Sequence, residues 1–152
     1  MMTRRTLLST LAALGLGGAA ARTMGTDTKP GKSSAGSVSK LNLSDAEWKK
    51  RLTSEQYHVL RREGTEAPGT SPLNREKRQG TYHCAGCELP LFSSATKYES
   101  GTGWPSFYQP LPDALGFKTD YKLILPRTEY HCARCEGHQG HVFNDGPAPT
   151  GK

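Results

Sequence analysis

Residues 81–87, TYHCAGC, and residues 129–145, EYHCARCEGHQGHVFND, decide the fold. Cys84-Ala85-Gly86-Cys87 and Cys132-Ala133-Arg134-Cys135 are two C-x-x-C turns separated by 44 residues, and together they use every cysteine of the chain. A C-x-x-C turn aims both sulfurs at one point, and two such turns complete a tetrahedron around Zn²⁺. One pair alone would equally suit a redox dithiol. Two pairs favour one shared four-cysteine zinc site over two redox pairs or over disulfides formed in an oxidising compartment. A thiolate that neutralises a metal is a poor nucleophile, so none of the four is expected to be catalytic.

Working outward, the texture around the knuckles is that of short strands and many turns. The chain has 152 residues, 34% hydrophobic, with 17 Gly and 10 Pro. That suits one turn-rich domain with a thin core, which needs a staple such as a metal knot. Thr81-Tyr82-His83, Pro90-Leu91-Phe92, Lys122-Leu123-Ile124-Leu125 and Glu129-Tyr130-His131 are expected as strands, and Asp113-Ala114-Leu115 as a helical turn. Upstream, Ser44-Asp45-Ala46-Glu47 and Thr53-Ser54-Glu55-Gln56 each read as a capping box. Trp48 with Leu52, and Tyr57 with Leu60, supply apolar faces at helical spacing, and Gly64 is expected to end the second helix. The fold class is therefore mainly β (α+β), with two short helices at the N-terminal edge.

The first 40 residues differ in kind. Arg4-Arg5 precede an apolar run from Leu7 to Ala20, followed by small residues at Ala19-Ala20-Ala21, the pattern of a twin-arginine export signal over residues 1–21. Fourteen mildly apolar residues are too few to span a bilayer comfortably, so no stable membrane insertion is expected after cleavage. Residues 22–40, rich in Gly, Ser, Thr and Lys, read as a flexible linker, and residues 41–152 as the domain. The location implied is the bacterial periplasm. Net charge is +6, of which Arg4 and Arg5 contribute two, leaving +4 on scattered lysines and arginines. No aromatic residue is interleaved with the run Arg75 to Arg78, so nucleic-acid binding is not expected.

Two further constellations carry chemistry. Gly101-Thr102-Gly103-Trp104-Pro105-Ser106-Phe107 sets an indole on a stiffened turn; it is either a core Trp in a tight loop or a platform for an apolar, polarisable ligand group. His138 and His141, with Asp145 beyond them, are either ordinary histidines or a proton-donating pair oriented by a carboxylate. Four cysteines already complete a metal shell, so extra metal ligation by these histidines is disfavoured.

Taken in order, Cys84 to Cys87, Gly101 to Phe107, Arg127-Thr128-Glu129, Cys132 to Cys135, His138 to Asp145 and Gly146-Pro147 resemble the B-type methionine sulfoxide reductases. The resemblance runs from about Leu43 to Lys152. It implies two small antiparallel sheets packed together, with the zinc knot away from the active site. It also implies that Trp104, with Phe107, binds the substrate side chain while His138, His141 and Asp145 surround the sulfoxide oxygen. The activity implied is reduction of the R epimer of methionine sulfoxide, in oxidised proteins or free, through a cysteine sulfenic acid, with Zn²⁺ structural. A thioredoxin-like reductant and a monomeric state are expected. A non-catalytic zinc-ribbon-like binding module is the alternative.

Two departures accompany the resemblance. Thr102 stands where many relatives carry a resolving cysteine. The nucleophilic cysteine of the family falls a few residues after Pro-Thr-Gly-Lys, so it is expected beyond Lys152, with the C-terminal end of the domain missing and the chain as given inactive.

Overall fold

The computed structural model describes residues 38–152. The expected export signal of residues 1–21 and nearly all of the expected linker lie outside the described residues. No helix among the described residues is long and apolar enough to cross a membrane.

Both capping boxes form. Helix α1, Asp45–Arg51, starts from Ser44, whose hydroxyl accepts from Glu47 N–H while the Ser44 N–H donates to Glu47 Oε2 at 2.8 Å. Helix α2, Ser54–Arg62, starts from Thr53 in the same way, with Gln56 completing the box. Each cap contributes about 1 kcal/mol. Seven- and nine-residue helices are too short to persist alone, so tertiary packing must hold them. Trp48, Leu52 and Leu60 supply it, each less than a tenth exposed. Helix α2 ends with Glu63 in the left-handed region, and the Gly64 N–H closes back on His58 O at 3.0 Å.

The rest is β structure in short pieces. β1 (Thr81–His83) pairs antiparallel with β2 (Pro90–Ser93), and β3 (Lys97–Tyr98) with β4 (Ser106–Phe107). β5 (Leu115–Asp120), β6 (Arg127–Cys132) and β7 (His138–Val142) form an antiparallel sheet in the order β5-β6-β7. The small antiparallel sheets are those expected, hydrogen-bonded as three groups instead of two. Phe107 stacks on Phe92 with centroids 4.4 Å apart, and Tyr82 meets Phe107 edge-on at 4.8 Å. Tyr130 approaches the other side of Phe92 at 5.9 Å, so one aromatic stack links the sheets.

Two local expectations fail. Residues 122–125 are no strand: Leu123, Ile124 and Leu125 are 57%, 101% and 77% exposed in the turn between β5 and β6. Asp120 Oδ1 accepts the Lys122 N–H at 2.9 Å, which turns the chain out of β5, and Pro126 lacks a ladder donor. Asp113-Ala114-Leu115 is no helical turn either. Asp113 takes φ 56°, and Leu115 opens β5.

Candidate functional site

The two cysteine knuckles have the same hydrogen bonding. The Cys84 N–H donates to Leu89 O and the Glu88 N–H to Cys84 O; the Cys132 N–H donates to Gly137 O and the Glu136 N–H to Cys132 O. Glu88 and Glu136, each just after the second cysteine of its pair, both take positive φ. These turns bring the four sulfurs within 4.8 Å of one another, all buried, with Cys84–Cys135 at 3.6 Å and Cys87–Cys132 at 3.4 Å. Tetrahedral thiolates around zinc stand about 3.8 Å apart, given a Zn–S distance of about 2.3 Å, so the donor set fits a divalent, thiophilic ion.

The electrostatics also call for a cation. Hydrogen bonds from Cys135 and Cys84 pull the Cys132 thiol well below its ordinary range. Hydrogen bonding with Cys132 pushes the Cys84 thiol up, and Cys135 is raised by the same contact. Four thiolates this close ionise together only if positive charge sits among them.

The helices grip this cluster. Arg51 Nε donates to Gly86 O at 2.6 Å, on the first knuckle, and Arg61 donates to Cys135 O at 2.9 Å, on the second. The Arg61 guanidinium lies over the Trp48 ring at 5.0 Å. The capped helices, the buried Trp48 and the metal knot therefore form one unit.

The histidines stand on the neighbouring strand. His138 and His141 are three apart, so an uninterrupted strand would point them to opposite faces. The β6–β7 register shifts between Tyr130 and His131, so that Glu129 pairs with His141 while His131 pairs with His138. The extra residue in β7 brings both histidines to one face. Gly140 permits this with φ 154°; a Cβ there would lie 2.9 Å from the Tyr130 hydroxyl. The imidazole rings end 5.3 Å apart, edge to face. Gln139 donates to Cys84 Sγ at 3.5 Å, joining the histidine strand to the cysteine cluster.

Each histidine has a carboxylate. His141 Nε2 lies 2.7 Å from Asp120 Oδ2, and the same oxygen accepts from Arg127 at 2.7 Å. The Lys122 N–H, His141 and Arg127, in that order of weight, hold the Asp120 carboxyl well below the usual carboxylate range. His138 Nδ1 is 2.9 Å from Glu129 Oε1, an ion-pair contact not aligned as a hydrogen bond. The expected orienter, Asp145, is exposed and makes no hydrogen bond or ion pair among the described residues. The carboxylate that His141 does contact is Asp120, which β5 carries across from Arg127 onto the same face.

Among the described residues, the buried side-chain polar atoms without a hydrogen-bond partner are Arg127 Nε, Glu129 Oε1, His131 Nδ1 and His138 Nδ1. All four come from β6 and β7. Glu129 Oε1 and His138 Nδ1 face each other at 2.9 Å, which leaves Arg127 Nε and His131 Nδ1 as the buried polar atoms here with no polar contact of this kind.

Trp104 stands on the turn between β3 and β4, 38% exposed. Its indole N–H donates to Glu66 O at 2.9 Å, and Gly103 O accepts from the Gly69 N–H and Asn74 Nδ2 at 2.7 and 2.8 Å. The ring is thus fixed by its edge and partly open to solvent, so it is not a fully buried core Trp. Thr102 shares a hydrogen bond with Ser100, which also meets Ser106. Phe107 belongs to the aromatic stack and the half-buried margin of the core.

Comparison with known proteins agrees with this arrangement. Residues 52–152 match the SelR domain model. The chain is 56% identical over 112 residues to the peptide methionine sulfoxide reductase MsrB of Leptospira interrogans, covering 73% of this chain and 86% of that protein. It is 51% identical over 113 residues to the Agrobacterium fabrum MsrB, covering 74% and 84%. The rice chloroplastic peptide methionine sulfoxide reductase B1 is 54% identical over 112 residues, and there the chain spans only 52% of the relative's length. On the extent of the domain match and the level of identity, this chain belongs to the SelR-domain family, that of the B-type peptide methionine sulfoxide reductases.

Proposed function

We propose that the chain reduces the R epimer of methionine sulfoxide, free or in oxidised proteins, to methionine. The observation that carries this is the single face of β5, β6 and β7 on which His138 and His141 each lie within 3 Å of a carboxylate oxygen. A thiolate attacks the sulfoxide sulfur while the oxygen is protonated. The oxygen passes to the thiol as a sulfenic acid, and the substrate sulfur keeps the electron pair, so that E–SH and R₂S=O become E–SOH and R₂S. His141, oriented by Asp120, serves the oxygen as proton donor, with His138 beside it. Trp104 offers its exposed ring to the substrate methyl group. A thioredoxin-like dithiol returns the sulfenic acid to the thiol, releasing water.

The ion of the cysteine cluster is proposed to be Zn²⁺, with Cys84, Cys87, Cys132 and Cys135 as its ligands. Bound there it staples two distant turns and supplies folding energy. Because the cluster takes every cysteine of residues 1–152, the nucleophile is proposed to be a further thiol outside these residues.

Export through a twin-arginine route is supported by Arg4-Arg5 ahead of the apolar run; that route carries folded cargo, so zinc would be loaded before the thiols meet an oxidising compartment. Lysine at both positions should strand the protein inside the cell, and normal export of that variant would reject this. For the reaction, a chain carrying the proposed further thiol and residues 1–152 alone are assayed on both epimers with dithiothreitol. R-specific turnover by the former and none by the latter is expected. Turnover by residues 1–152 would place the nucleophile in the cluster and overturn the metal assignment; inactivity of both forms would favour a zinc-ribbon-like binding module.

A further inference from the structure

Glu129 is 2% exposed and ranks with Cys84 and Cys132 among the largest fully buried side chains. A carboxylate in that position is costly, and an apolar side chain of similar volume is often neutral or stabilising in its place. Its retention needs a cause, and its contacts supply one. Oε2 faces Lys118 Nζ at 3.2 Å across the β5–β6 ladder, and Oε1 faces His138 Nδ1 at 2.9 Å. Lys118 in turn pairs with Glu63 at 2.7 Å, at the end of α2, and Lys122 pairs with the other Glu63 oxygen at 2.5 Å. The chain of charges runs from the helix terminus to an imidazole 5% exposed.

The second histidine is held differently. His141 Nε2 is within hydrogen-bond distance of its carboxylate, whereas the His138 nitrogen nearest its own is Nδ1, at 2.9 Å but off the hydrogen-bond axis. Two edge-to-face rings engaged through opposite nitrogens leave His138 Nε2 and His141 Nδ1 as the atoms not committed to a carboxylate. In a neutral imidazole the nitrogen facing a carboxylate carries the proton and the other accepts, so the carboxylate sets what each ring offers to a ligand.

We propose that Glu129 is the positioning residue for His138: with Lys118 holding one oxygen, its other oxygen fixes the ring orientation and places the proton on Nδ1, so that Nε2 is the nitrogen presented to the sulfoxide. This rests on the reductase reading for the identity of the ligand, but not for the state of the ring.

The test uses zinc-loaded protein labelled with ¹⁵N in the histidine rings, with His138 assigned from a His138→Asn variant. Wild type is expected to show the His138 proton on Nδ1. In Glu129→Met, which keeps volume without charge, the ring should revert to the Nε2–H form that free imidazole side chains prefer, at an unchanged zinc-to-chain ratio. N-acetyl-methionine R-sulfoxide should bind this variant at least ~10-fold more weakly, the scale on which supporting carboxylates act on an imidazole ligand. Glu129→Asp, which returns the charge on a shorter stem, should recover part of both signals. Glu129→Gln is scored in the same way should the methionine variant fail to hold zinc. A wild-type ring signature in the charge-free variants overturns the positioning role, whatever the ligand does. A ring signature that changes on loss of Glu129, in a protein whose wild type ignores the sulfoxide, upholds the positioning and overturns the reductase reading instead.

Discussion

Replacing Gly103 by alanine should release Trp104 from its fixed pose. Gly103 has φ 94°, a region costly to a residue with a Cβ. The added Cβ would stand 2.8 Å from Pro68 Cβ, 3.0 Å from the Gly69 nitrogen and 3.2 Å from Pro68 Cα, so it meets backbone that cannot step aside. Backbone strain contributes about 1–2 kcal/mol and the overpacked contact about 1–3 kcal/mol. The chain can relieve both by lifting the turn, at the loss of the two hydrogen bonds to Gly103 O and the Trp104–Glu66 bond, each about 1 kcal/mol net. The cheaper route sets the outcome, so the variant should lose roughly 2–4 kcal/mol, which lowers the urea midpoint by about 1–2 M at ordinary m-values. Fluorescence separates the two routes, because Trp48 is 2% exposed and silent to acrylamide while Trp104 is 38% exposed. Increased quenching of one tryptophan, together with weaker binding of an R-sulfoxide, is the expected result. A variant with wild-type midpoint and wild-type quenching would refute the account of this loop.

The remaining expectations concern the metal, the charge network and the histidine pair. Strong chelation should unfold or loosen the domain, since zinc in such sites carries about 10–16 kcal/mol of apparent binding free energy; circular dichroism before and after chelation checks it. Glu63 is held down to about 2 from an ordinary 4.5 by hydrogen bonds from Lys118 and then Lys122. Because the folded-state value is the lower one, its stabilisation is present above about pH 4.5 and disappears as pH falls toward 2. With both lysines half-exposed, screening leaves about 1 kcal/mol, and Glu63→Gln should flatten that part of a stability–pH curve. In a chain that carries the reducing thiol, Asp120→Asn should lower kcat/KM on the R epimer by about 10–100-fold, whereas Asp145→Asn should cost far less; the reverse order would make Asp145 the orienter.

Much of this arrangement is legible in the residues. The two C-x-x-C turns announce a shared site because the spacing alone orients both sulfurs, and the capping boxes at Ser44 and Thr53 announce two helices because their signal is local. Strand signals failed where function inverts polarity. β5 reads Leu-Gly-Phe-Lys-Thr-Asp, and its Lys118 and Asp120 face the histidines, so hydrophobic alternation gives no warning of a strand. The apolar run Leu123-Ile124-Leu125 shows the opposite error, since an Asx-type turn at Asp120 and the proline after the run decide its fate. Asp145 lies near His141 in sequence, while the carboxylate in contact with His141 comes from a residue 21 positions earlier through sheet register. One signal was available: charges at alternate positions, Lys118 with Asp120 and Arg127 with Glu129, place four ionised groups on one face of paired strands.

One metal ion is proposed to commit all four thiols, so that the reducing thiol comes from elsewhere. Counting metal and reactive thiols together on native residues 1–152 tests it most directly, with an aromatic disulfide reagent before and after chelation. The account predicts one zinc per chain with no thiol reacting, then four reacting once the metal is removed. A thiol that reacts at once in the zinc-loaded chain, or a metal-free native protein with two disulfides, would contradict it.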